Sequence, residues 1–252
     1  MSDASRLFTK TAPAAALHMF EAEVAGLVEI GASNTIRVPE VYDVGIRDGC
    51  AYIEMQRLQL RTTTAADETA AGELLAAMHR VTAERFGWYR DNTIGPTPQH
   101  NPVSDSWLEF YATARLQYQL ELAAKNGYDG ELQAEGARLL EGLPALLAGH
   151  EPVASLLHGD LWGGNWGATS DGVVTFDPAV YYGDRETDIA MTRLFGGFGR
   201  SFYAAYERAW PLAAGHERRV ALYQLYHVLN HLNLFGSGYL GQSLALMKQL
   251  AV

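Results

Sequence analysis

The sequence predicts an α+β molecule of two unequal lobes: a small mixed β/α lobe over residues 1–58 and a mainly helical lobe over 59–252. Three observations predict it. The first sixty residues alternate short strand-like runs with one helical repeat, and the chain after Leu60 is dominated by helical spacing. Strand and turn signals then return in one concentrated block, from about Leu156 to Asp184.

Arg6–Thr11 (RLFTKT) alternates apolar and polar residues, as a short half-exposed strand does. Ala14–Glu29 places Leu17, Phe20, Val24, Leu27 and Val28 at helical spacing, which gives one apolar face. Val38–Ile46 and Ala51–Met55 read as two strands joined by a turn at Arg47–Gly49. Beyond Leu60, Thr64–Val81, Asp105–Asn126 and Gly130–Leu147 read as helices. The Pro/Asn-rich segment Arg90–Asp105 between the first two reads as loop. Further helices are expected at about Glu186–Arg193, Gly199–Ala209, Gly215–Phe235 and Leu240–Leu250. With no repeat and no long linker, the boundary near Leu58–Arg61 reads as a hinge within one body.

Composition excludes several classes of function. A hydrophobic fraction of 48% with 19% charged residues belongs to an ordinary globular protein. The formal charge of -10 argues against a nucleic-acid partner, but leaves room for a nucleotide site, which needs only local cations. No run approaches the roughly 20 apolar residues of a membrane span, and MSDASRLFTK is no signal peptide. The single cysteine, Cys50, has no internal disulfide partner, which points to a reducing compartment and so to the cytoplasm.

The strongest local signal is His158-Gly159-Asp160-Leu161-Trp162-Gly163-Gly164-Asn165. An Asp followed five positions later by an Asn, on a glycine-rich loop, sets a carboxylate and an amide around one small site. In phosphoryl transfer such a carboxylate orients and deprotonates the attacking hydroxyl, while the amide oxygen ligates Mg2+. Asp177, in Val173–Pro178 (VVTFDP), lies seventeen residues beyond Asp160 at the end of a buried-looking strand and fits a second metal ligand. Upstream, Lys10 on the first strand and Glu23 on the following helix fit an ion pair that grips nucleotide phosphates. Glu23 is preferred to Glu21 because it adjoins the apolar stripe. Read alone, each residue has a bland meaning: Lys10 a solvated lysine, Glu21 and Glu23 a polar face, Asp177 the start of a turn. Their order along the chain separates the two readings. His158 lacks companion ligands at metal spacing and reads as a brace for the loop.

HGDxxxxN is the catalytic-loop signature of the aminoglycoside and choline phosphotransferases. The longer runs LLHGDLWGGNWG, FDPAVYYGDRETDIAM, NTIGPTPQHN, SWLEFYATARLQYQL and YHVLNHLNLFGSGY resemble the fructosamine (ketosamine) kinases, over nearly the whole chain from Arg6. The resemblance implies a protein-kinase-like fold and ATP-dependent phosphorylation of the sugar 3-hydroxyl of a small-molecule or protein-bound ketosamine, with Mg2+. It implies Asp160 as base, Asn165 and Asp177 as metal ligands, Lys10 and Glu23 on the phosphates, and Met55, Gln56, Arg57 and Leu58 as the adenine hinge. Trp162 is expected as a wall of the sugar pocket, against the alternative of a buried packing residue. Asp184 and Glu186–Asp188 are expected to position the metal loop, and Asp184, His231 and Asn233 to reach the substrate.

One departure stands out. Only nine residues precede Lys10, whereas two strands with a glycine-rich turn need roughly 15–20. The expectation is a small lobe without a phosphate-covering loop, through a misassigned start, a trimmed chain or a degraded family member. Two alternatives to the ketosamine kinase therefore stay open: a phosphotransferase for another sugar or an amino alcohol, and a pseudokinase that only binds ligand. A monomer is expected, with the exposed edge of the first strand as a surface that could pair with a second copy.

Overall fold

The computed structural model describes residues 7–251. The expectation about a missing glycine-rich turn concerns the segment before Leu7 and lies outside the described residues, as does Arg6 of the first predicted strand.

Strand β1 (Leu7–Pro13) leads through a 3-10 turn (Ala14–Ala16) into helix α1 (Leu17–Ala32), and β2 (Val41–Arg47) and β3 (Cys50–Gln56) follow. The three strands form one antiparallel sheet in the order β1-β3-β2. Asp48 and Gly49 close the β2–β3 hairpin with φ of 53° and 78°, the left-handed pair that a type I′ turn requires. Alternation then does the packing: Ala51, Ile53 and Met55 of β3 face Phe20 and Leu27 of α1 and make a small core of their own.

The chain crosses at 57–64 into α2 (Ala65–His79), where Thr64 closes a capping box with Asp67. Strand β4 (Thr82–Ala83) follows, then β5 (Asn92–Ile94) and β6 (Thr97–Gln99). These last two correct the loop expected over Arg90–Asp105. They pair as a tight hairpin, Asn92 against Gln99, with Asn92, Ile94, Thr97 and Gln99 buried. Three-residue strands of polar residues carry too little periodicity to be read from sequence. Polar bonds hold the hairpin instead: Asn92 Nδ2 donates to Val180 O, and Gln99 Nε2 to Ala179 O.

The helix expected over Asp105–Asn126 is present as α3 (Trp107–Phe110) and α4 (Tyr118–Lys125), joined by a π-helical stretch, Tyr111–Gln117. That stretch carries Arg115, fully buried, whose guanidinium lies over the rings of Phe110 and Tyr181. After α5 (Glu131–Leu146) come β7 (Ala154–Leu157), the β8–β9 hairpin (Trp166–Thr169 and Gly172–Thr175) and β10 (Tyr181–Gly183). The molecule ends in α6 (Glu186–Leu194), α7 (Arg200–Ala209), α8 (His216–Phe235) and α9 (Leu240–Leu250). One continuous apolar core joins α2, α5, α6, α7 and α8 around β7 and β10. Among the described residues, no helix is long and apolar enough to cross a membrane.

Candidate active site

The segments that bear chemistry converge because hydrogen bonds to backbone carbonyls tie the loop after β7 to the segment around Asp177. Ala179 N donates to His158 O, and Phe176 N and Thr175 Oγ1 both donate to Asn165 O. Gly159 has φ of 81°, and a Cβ there would collide with the Ala179 carbonyl, so glycine is required twice over. Gly163 and Gly164 lie where neighbouring groups approach the backbone closely. A Cβ on Gly163 would meet the backbone of Gly196–Gly197, and one on Gly164 would meet the Trp162 indole. The backbone contact demands glycine at 163, whereas a side chain at 164 would displace the partly exposed Trp162 ring.

Asp160, Asn165, Asp177, Lys10 and Glu23 line one cavity of about 400 Å3. Lys10 Nζ lies 2.7 Å from Glu23 Oε1 and 2.5 Å from Asp177 Oδ1. Burial works to lower the lysine pKa, but these two carboxylates overcome it and hold the ammonium charged. Glu21, the less favoured candidate, is exposed and does not line the cavity. Asn165 Nδ2 donates to the Asp160 carbonyl at 2.9 Å and to its Oδ2 at 3.3 Å. That use of the amide nitrogen reserves the amide oxygen as a hard ligand. Asp177 sits in the left-handed region, φ 55°, immediately before Pro178.

The Asp160 carboxyl is pushed up to about 7, by burial first and then by the charges of Asp188 and Asp177, against the pull of the Asn165 hydrogen bond. A base poised near neutrality suits proton abstraction from a hydroxyl. His158 is the brace that the sequence implied. Its Nε2 donates to Phe176 O and its Nδ1 accepts from Asp160 N, while burial depresses its pKa and keeps it neutral.

A second cavity, about 320 Å3, shares Asp160 and Trp162 with the first and contains His231. Trp162 is 40% exposed, so the buried-packing alternative does not hold. Gly95, at the tip of the β5–β6 hairpin, lines both cavities, while Asn92 and Thr93 line only the first. Sequence reasoning missed these residues because the hairpin read as loop.

Two expectations require correction. Asp184 lies away from both cavities, completely buried, where it accepts from His150 Nε2, Tyr223 Oη and Glu186 N. It staples β10 and α6 to α8 and lines neither cavity. Asn233 is likewise spent on Gln119 and Asn126. Of the four hinge residues, none lines the two cavities: Met55 is buried in the small core, and Gln56 N donates to Glu40 O.

The residue that sets the loop's position is Asp188. It accepts from His158 N at 2.7 Å, Gly159 N at 2.9 Å and His79 Nε2 at 3.1 Å. The sequence placed it only within a run, Glu186–Asp188, associated with the metal loop.

With the geometry of this cleft described, comparison with known proteins identifies the family. The family model described as fructosamine kinase matches residues 1–252. The chain belongs to the fructosamine kinase family. It is 42% identical to a Synechocystis sp. protein named "Probable ketoamine kinase", over 97% of this chain and 82% of that one. It is 41% identical to the chloroplastic protein-ribulosamine 3-kinase of Oryza sativa subsp. indica, over 98% and 72% of the two chains. The crystal structure named "Putative fructosamine-3-kinase" from Haemophilus somnus superposes with a TM-score of 0.90 at 29% identity, covering 98% of this chain and 84% of that one. An aminoglycoside phosphotransferase, at 16% identity and a TM-score of 0.65 over 99% and 88% of the two chains, shares the protein-kinase-like fold.

Proposed function

We propose that this member of the fructosamine kinase family transfers the γ-phosphate of ATP to the sugar 3-hydroxyl of fructosamines and ribulosamines, free or protein-bound. The observation that carries the reading is the convergence of Lys10, Glu23, Asp177, Asn165 and Asp160 on one cavity. Asp160 accepts the proton of the acceptor hydroxyl as its oxygen attacks the γ-phosphorus and the bond to the ADP oxygen breaks. Lys10, held by Glu23, takes the phosphates. Asn165 and Asp177 are the residues that would hold Mg2+; both offer hard oxygen donors, and Asp177 already draws a cation, the Lys10 ammonium. Bound there, the metal supplies neutralisation of phosphate charge. The exposed, unpaired Cys50 supports a reducing compartment, the cytoplasm.

Incubation with Mg·ATP and ribulosyl-lysine or fructosyl-lysine should release ADP and give a sugar 3-phosphate, detected by phosphorus NMR. A folded protein that binds Mg·ATP yet phosphorylates only other hydroxyl acceptors would overturn the ketosamine assignment. Lys10→Ala should weaken the thermal stabilisation by Mg·ATP and raise the KM for ATP by about tenfold or more, since a desolvated ion contact to phosphate is lost. The KM for the acceptor should change little.

A further inference from the structure

The second cavity contains more aromatic surface than a sugar needs. His231 lies with its ring centroid 4.8 Å from Phe195, 5.3 Å from Phe235 and 5.1 Å from Tyr239. Phe195 and Phe235 are 40% and 67% exposed, a placement that leaves large apolar rings in water at the mouth of the cavity. His231 Nδ1 donates to His227 O, so Nε2 is the acceptor atom, and burial keeps the ring neutral. Among the described residues, no lysine or arginine lines this cavity, and Asp160 is its single charged side chain.

Because Asp160 and Trp162 line both cavities, an acceptor whose reacting hydroxyl meets Asp160 on the side of Lys10 extends its other end among these rings. In a ketosamine that end is a substituted amine, protonated at neutral pH. We infer that the box of Phe195, His231, Phe235 and Tyr239 is the seat of the ketosamine's amine and its substituent, and that it selects apolar or aromatic substituents over any with a carboxylate beside the nitrogen. This rests on the ketosamine reading above and deepens it. Ring faces attract the ammonium, and the neutral imidazole does not repel it. A neighbouring carboxylate would enter a cavity without a cation to pair it and would face Asp160.

The test uses one sugar on three amines, benzylamine, propylamine and glycine, each assayed with Mg·ATP. The benzylamine and propylamine adducts should show kcat/KM about tenfold above the glycine adduct, mostly through KM, a scale set by ring–cation contacts in a partly desolvated site. Phe235→Ala and Tyr239→Ala should raise the KM for the benzylamine adduct severalfold while the KM for ATP stays unchanged. Phe235 is mostly exposed, so its truncation spares the core. Equal kcat/KM for the glycine and benzylamine adducts, or an unchanged KM in both variants, overturns the inference and leaves the ketosamine activity standing. Turnover of none of the three, with transfer to another hydroxyl acceptor, overturns the functional reading and the inference with it.

Discussion

Asp160→Asn should lower kcat by about 10²–10⁴, the range lost when a positioned base is removed, while Mg·ATP continues to protect the fold. The same substitution should raise stability above neutral pH. Asp160 carries a carboxyl pushed up to about 7 by burial and by the charges of Asp188 and Asp177. An acid whose folded pKa exceeds its unfolded value binds more protons when folded, so stability falls as pH rises between the two values. Wild type therefore matches the Asn variant at about pH 3–4, where the unfolded carboxyl is also protonated, and loses ground steadily up to about pH 7. Above that the full deficit is present, at most about 4 kcal/mol given 1.36 kcal/mol per pKa unit. Paired thermal melts at pH 4 and pH 8 check this. A variant that is inactive and also less stable at pH 8 would mean that Asp160 is a structural carboxylate rather than a strained base.

The pieces of the site that were legible in sequence are those whose chemistry depends on residue type and chain order. Lys10, Glu23, Asp160, Asn165 and Asp177 meet at one cavity because strand, helix and hairpin follow one another in the order that brings their ends together. The helices after Leu60 were also legible, since long Ala/Leu/Glu-rich runs favour helix whatever they pack against. What stayed hidden is held by side-chain hydrogen bonds between distant segments. Asn92 and Gln99 bind a hairpin to Ala179 and Val180 across more than seventy residues. Asp184 was expected at the site on the family resemblance, yet the His150 and Tyr223 bonds turn it into the core. His150, Asp184 and Glu186 even cluster as metal ligands do, but Glu186 is engaged bidentately by Arg219 and Asp184 is fully spent. A motif match does not tell which way a carboxylate turns.

Asp188→Ala should cost about 3–5 kcal/mol, the scale for breaking a buried charge network and leaving its partners unpaired. Three donors depend on this one carboxylate: the backbone N–H groups of His158 and Gly159, and His79 Nε2. Burial works to raise its pKa, but these bonds and the neighbouring histidines prevail and hold it below the usual carboxylate range. A depressed acid contributes stability above its unfolded pKa and loses it as pH falls through the folded value, so the contribution should vanish only in strong acid. At roughly 2–4 °C per kcal/mol for a chain of this size, the melting point should fall on the order of 10 °C at pH 7. Asp188→Asn separates positioning from bulk stability. Its amide has one acceptor oxygen and cannot serve both backbone donors, so the Gly159–Asp160 segment is left free to shift even where the fold survives. kcat should then drop by about tenfold or more, as a misplaced base predicts, while the KM for ATP, which the proposed function assigns to Lys10 and Glu23, holds. If Asp188→Asn retained full kcat, the loop's position would have to come from the His158–Phe176 and His158–Ala179 contacts alone.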